Sequence, residues 1–193
     1  MKHTLIGGLI GGIIVFIWSF LAWVILPLHE PNLKGVQNED ALVSALQSSL
    51  KDKAVYVVPK NPGLKAEQAT MDAFVAKMKR GPTAMIIYDP VGTDLMMPRQ
   101  MAIGIILDII AACVVAWFLA RSTAMTASYL ARVTYCGMFG IFVTFFTHLS
   151  YWNWMGYPAD FTTGLIVDAI LSWLLAGLGI AAVVKAPKQS VSA

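Results

Sequence analysis

Four long apolar blocks, separated by polar stretches, set the pattern of the chain. The first runs from Leu5 to Leu28 without a charged side chain. The second is Met101 to Ala120, closed by Arg121, and the third is Val133 to Tyr151, preceded by Arg132. The fourth is Phe161 to Val184, followed by Lys185 and Lys188, with Asp160 placed to act as its N-cap. At 1.5 Å per residue, roughly 20 apolar residues traverse the hydrocarbon core of a bilayer, so each block is expected to be a transmembrane helix. A cleaved signal peptide has an apolar region of only about 7–15 residues, so the first block reads as a retained anchor.

Between the first two blocks the periodicity changes. Glu39 to Leu50 carries apolar residues at Leu42, Ala45, Leu46 and Leu50, a helical spacing. Ala54 to Val58 is β-branched and aromatic and is stopped by Pro59, which predicts a strand. Lys65 to Met78 predicts a second helix with Ala69, Ala73, Phe74 and Ala76 toward one face, and Thr83 to Tyr88 a second strand. A strand, helix, strand order reads as a βαβ unit, whose right-handed crossover makes the strands parallel. The fold class expected is a mainly α membrane protein: a four-helix transmembrane bundle with a small α/β (helix-strand-helix-strand) extramembrane domain. The divisions are 1–28 for the first span, 29–99 for the outer domain, 100–185 for spans two to four, and 186–193 for a cytoplasmic tail.

Composition supports that reading. The chain is 58% hydrophobic and 13% charged, against about 25% charged residues in ordinary soluble domains. The net charge of +3, without a basic stripe, gives no footprint for nucleic acid. Cys113 and Cys136 both fall inside apolar blocks, so no disulfide framework is expected.

Orientation follows from basic residues in the short connections. Lys2, Arg121, Arg132, Lys185 and Lys188 lie on one side, and the turn at 152–160 on the other side has none. Both termini are therefore expected to be cytoplasmic. The 29–99 segment carries nine Lys and Arg, but a loop of about 70 residues is translocated regardless of charge. Tyr151, Trp152, Trp154 and Tyr157 fit an outer interfacial belt. The absence of glycosylation acceptors in 29–99 favours a bacterial inner membrane.

Candidate chemistry lies in the apolar blocks. Asp108 and Asp168 each sit about seven residues from the outer start of a span, roughly 10 Å deep. Thr144 and Ser19 fall at a similar depth, and His148 is somewhat shallower. Ionisable groups in hydrocarbon face the bundle interior, paired or hydrated. Small residues beside the polar ones mark the same inward faces: Gly164, Ser172 and Ala176 with Asp168, and Gly104, Ala112 and Ala116 with Asp108. This layer reads either as a hydrogen-bonded register device or as a proton or cation relay. Gly7, Gly8, Gly11 and Gly12 in the first span, and Gly177 and Gly179 in the fourth, are expected to bring helices into close contact, within one bundle or between chains.

No ligand-spacing motif accompanies Asp108, Asp168 and His148, so no metal is assigned. Met96, Met97 and Met101 form the only methionine cluster to compare with a copper site, and no cofactor is assigned. Nor does the chain carry a nucleophile–base pair or a Gly-rich phosphate loop, so no catalytic residue is named and no enzyme is expected. The expected role is that of a non-catalytic accessory or assembly subunit docking to a larger membrane complex. Its partners would be the lipid bilayer and other membrane subunits or a second copy. The alternatives are a small proton- or cation-linked transporter using Asp108 and Asp168, or a lipid- or quinone-binding membrane protein.

Overall fold

The structure is a computed structural model that describes residues 1–26, 28–92, 98–122 and 128–185. Met96, Met97 and the tail 186–193, with Lys188, lie outside the described residues. The protein is mostly helical, with four helices long and apolar enough to cross a membrane and a small two-stranded sheet. It divides into two compact units, Met1–Lys34 with Met96–Ala193, and Gly35–Leu95.

The first unit holds the four long helices. α1 (Lys2–Phe20) continues through a π-helical turn at Leu21–Ile25, and Leu26 then turns to extended backbone. Next in chain order come α2 (Glu39–Ser49), β1 (Ala54–Val58), α3 (Gln68–Arg80) and β2 (Ala84–Tyr88), all in the second unit. α4 spans Pro98–Leu119. α5 (Tyr129–Val143) runs through a second π-helical turn at Thr144–His148 into α6 (Leu149–Met155), where Gly156, at φ 70° and ψ 30°, ends it in the left-handed region. α7 spans Ala159–Val183.

Two helix starts differ from the sequence reading. α5 begins at Tyr129 rather than Val133, because Ser128 Oγ accepts the Ala131 N–H at 3.2 Å and caps an earlier turn. Arg132 therefore lies within the helix, nearly buried, and its guanidinium donates to the Ala181 carbonyl at 3.1 and 3.2 Å. That bond ties the start of α5 to the end of α7. At the other start, Pro158 rather than Asp160 occupies the N-cap of α7. Asp160 lies in the first turn, where its carboxylate accepts the Phe161 N–H at 2.8 Å and faces the positive end of the helix dipole.

α1 packs along both α4 and α7, and α5 packs along α7, whereas α4 meets α5 only sparsely. The glycines of α1 divide between its two neighbours. A Cβ at Gly7 would stand 2.8 Å from Val184, and one at Gly11 2.6 Å from Ile180, both on the α7 side. A Cβ at Gly8 would lie 2.6 Å from the Cys113 Cα, and one at Gly12 2.6 Å from the Ile109 N, against the α4 backbone. On α7, Gly177 faces Val133 and Cys136 of α5, and Gly179 faces Ile10 and Ile14 of α1. Val15, Ala112, Val115, Ala116, Leu119, Cys136, Ala176 and Ile180 fill the space between the helices. The glycines and alanines at these contacts let helix backbones approach closely.

The second unit is built from α2 (Glu39–Ser49), β1 (Ala54–Val58), α3 (Gln68–Arg80) and β2 (Ala84–Tyr88). Asn38 caps α2 by accepting the Ala41 N–H at 3.1 Å, with Glu39 and Asp40 in the first turn. The order of elements is helix, strand, helix, strand, but the strands pair antiparallel, with Ala54 opposite Tyr88 and Val58 opposite Ala84. This corrects the expected parallel crossover. The nine-residue connection from Pro59 to Glu67 can reach about 30 Å, whereas a five-residue strand is about 17 Å long. The chain therefore has length to return past β1 before α3 begins. The half-buried positions of α3 are Met71 and Phe74; Ala69, Ala73 and Ala76 are exposed. The helix–strand pair recurs: β1 at 54–58 and β2 at 84–88 are thirty positions apart, each after its own helix.

Candidate functional site

The polar centre of the first unit forms where the chain leaves α1. The π turn places Trp23 so that its ring stacks on that of His29, centroids 3.8 Å apart and planes within 15°. Glu30–Asn32 closes a 3₁₀ turn with Pro31 near its start, and the Asn32 N–H donates to the His29 carbonyl at 3.0 Å. These two turns fix the His29 ring against α7, leaving it 1% exposed.

Asp168 is the hub. The Trp18 indole donates to its Oδ1 at 2.6 Å, Ser172 Oγ reaches the same oxygen at 3.4 Å, and His29 Nε2 meets Oδ2 at 3.2 Å. The Asp168 side chain is 14% exposed. An indole N–H can only donate, so the carboxylate must accept there. Charge-assisted bonds of this kind are roughly twice as strong as neutral ones. The network joins α1, the turn after it, and α7. His148 closes the π turn after α5.

The five side chains singled out in the sequence do not form one connected layer. Asp168 is engaged as described, and His148 makes no hydrogen bond to it among the described residues. Thr144 is buried, but its hydroxyl donates back to the Gly140 carbonyl at 2.9 Å. Asp108 is half-buried and makes no side-chain hydrogen bond or ion pair among the described residues, and Ser19 likewise makes none. Asp108 and Asp168 are not joined by a hydrogen bond. Among the described residues no group of three His, Cys, Asp or Glu is placed to hold a metal ion.

Sequence reasoning missed His29, Trp18 and Trp23. The tryptophans lie within the first apolar block, and His29 follows it directly. One signal was available: an indole in an apolar helix needs an acceptor at its own depth.

His29 has one ring nitrogen left over. Its Nδ1 is buried without a hydrogen-bond partner among the described residues. Beside it α7 carries Gly164, where a Cβ would stand 3.5 Å from that Nδ1, 3.2 Å from Asn32 Nδ2 and 3.6 Å from the Leu28 carbonyl oxygen. His29 also lines a cavity of about 410 Å³ with Trp23, Val24, Ile25, Leu26, Glu30 and Leu33.

Fold and site together define a protein of four long apolar helices held by a histidine–aspartate–tryptophan network. No protein-family model, curated protein or solved structure matches the chain.

Proposed function

We propose that this is a four-span integral protein of a bacterial inner membrane, with cytoplasmic termini and residues 29–99 outside, serving as a non-catalytic accessory or assembly subunit of a larger membrane complex. Membrane insertion is supported by the apolar side chains that the long helices turn outward, among them Ile17, Ile106, Leu107, Phe142 and Phe145. Only 22–33% of each helix's most apolar stretch is buried within the protein. Lipid is the solvent for such a surface.

The observation that carries the accessory role is the unfinished second unit. Among the described residues 35–92 none is fully buried. One face of its sheet carries Val55, Val57, Met85 and Ile87, exposed by 60%, 48%, 40% and 79%. An isolated two-stranded sheet is at best marginally stable in water, and three or more strands or a covering layer are needed. A protein partner with an apolar surface is the occupant this face suits. Isolation in mild detergent from native membranes should yield a stoichiometric larger complex. Val55→Asp with Ile87→Asp should release the chain from it while the helical circular dichroism signal is kept. A wild-type chain that travels alone as monomer or homodimer would end the reading.

Proton- or cation-linked transport is a second reading, favoured by the His29–Asp168 pair. It centres on Asp168 rather than on a pair of aspartates. It requires Asp168→Asn to abolish flux in proteoliposomes and Asp108→Asn to leave it unchanged.

A further inference from the structure

We propose that the groove between α1 and α4, at the end where α1 begins and α4 finishes, binds an anionic phospholipid. One acyl chain lies in the groove, and the phosphate meets Arg121 and Lys2. The inference rests on the reading of the four long helices as membrane-inserted. The groove has a definite cause. Gly8 and Gly12 bring α1 against the α4 backbone at Cys113 and Ile109. The same two α4 residues line an open groove of about 570 Å³, within the usual range for small-molecule sites. Its other walls include Leu5, Ile110, Val114 and Trp117, all exposed. From Ile109 to Trp117 the α4 wall extends about 12 Å along the helix axis.

Charge selects what fills it. Gly8 meets Cys113 and Gly12 meets Ile109, so the two helices run antiparallel in a fixed register. Continued to the start of α1, that register sets Lys2 opposite Leu119, two residues before Arg121. Each helix thus brings one cation to the same end of the groove. The Arg121 guanidinium lies over the Trp117 ring, 3.8 Å from its centroid, and Nη1 donates to the Trp117 carbonyl at 3.4 Å. A planar guanidinium laid on an indole keeps in-plane N–H groups for a phosphate, which it can hold through two oxygens. No carboxylate side chain competes. The sequence has no Asp or Glu from Met1 to His29, from Ile109 to Ala159, or after Asp168. Neither Arg121 nor Lys2 makes an ion pair among the described residues. An apolar groove alone would take any acyl chain, but two cations at one end select a headgroup of net negative charge. Phosphatidylcholine brings its phosphate with a trimethylammonium that the same cations repel.

The test uses the full-length protein in detergent with equal amounts of phosphatidylglycerol and phosphatidylcholine of the same chains. Native mass spectrometry counts the lipid that each protein retains. Phosphatidylglycerol should be retained about tenfold over phosphatidylcholine, since each basic residue near an anionic headgroup is worth about fivefold. Arg121→Gln and Lys2→Gln should each cut that preference by about fivefold. Arg121→Lys should restore most of it, and Arg99→Gln, at the far end of α4, should leave it unchanged. Ile110→Trp, which fills the groove from an exposed wall, should lower phosphatidylglycerol retention while thermal unfolding stays cooperative. A phosphatidylglycerol with a photoactivatable acyl chain should crosslink to Leu5 or Val114. Equal retention of the two lipids would mean ordinary boundary lipid and would overturn the proposal. So would an Arg121→Gln protein with the wild-type preference, or crosslinks that avoid this groove. Reconstitution into nanodiscs of either lipid checks insertion by itself. A chain that enters neither would refute the membrane reading and the lipid site with it; one that enters both without a preference would refute the lipid site alone.

Discussion

At the scale of single residues, Asp108 of α4 and Asp168 of α7 have different environments despite similar sequence contexts. Asp168 accepts from three donors, so Asp168→Asn must turn an amide N–H₂ toward at least one of them. Its expected cost is about 2–3 kcal/mol, the range for a lost hydrogen bond to a charged group. Asp108→Asn should change stability by less than about 0.5 kcal/mol, because no partner is lost. Thermal unfolding of both variants in detergent, read by circular dichroism, checks the contrast. Trp18→Phe isolates the indole bond while keeping most of the ring volume. In the second unit, Lys53 Nζ lies 2.6 Å from Asp89 Oδ2, and that bond, with the Val91 N–H, holds the Asp89 carboxyl below its ordinary value. Because the folded pKa is lowered, the stabilising contribution is present above the ordinary aspartate value. It fades as pH falls through the lowered one. A carbonyl NMR titration should find the Asp89 midpoint depressed, and Lys53→Met or 1 M salt should raise it. Asp168 itself was legible in the sequence, since a carboxylate in an apolar helix requires company. Its partners His29 and Trp18 were not, because they depend on how α1 and the turn after it are rotated against α7.

Among the elements, the glycines divide into those against backbone and those against open space. Gly12→Ala would drive a methyl into the Ile109 backbone and should cost about 1–3 kcal/mol through overpacking. At Gly104 the nearest atom to an added Cβ is Phe16 Cε2 at 3.9 Å. Gly104→Ala should therefore be neutral or gain a few tenths of a kcal/mol from helix propensity. Unfolding of both in mixed detergent micelles would separate them, and equal effects would contradict the packing described. The doubled glycine pairs were readable as close-approach sites, but their division between α7 and α4 required the helix phase. The strands show the same boundary: Ala54–Val58 was found at its observed limits from its residue types alone. Strand direction is not encoded in five residues, and the long Pro59–Glu67 connection removed the constraint that a short crossover would impose.

For the whole molecule, the four long apolar helices were the most legible feature, since about 20 consecutive apolar residues have few other uses. Their observed limits move by a few residues where Ser128 and Pro98 start helices earlier. The proposed orientation makes a direct prediction. In a chain with Cys113 and Cys136 changed to alanine, a cysteine at Asn61 should react with a membrane-impermeant maleimide added outside intact cells. A cysteine at Ser122 should react only after lysis, and the reverse pattern would invert the topology. Fold recognition by sequence faces a particular obstacle here. Each of the two π turns carries one residue more than α-helical phase would allow, and rotates everything after it by about 100°. Leu21–Ile25 carries Trp23, whose ring stacks on His29, and Thr144–His148 carries the buried Thr144. In evolutionary terms, losing a single codon in either stretch would leave a span of ordinary length and hydropathy while scattering the centre. Substitutions should therefore be far better tolerated there than deletions, and true relatives should align through both stretches without a gap.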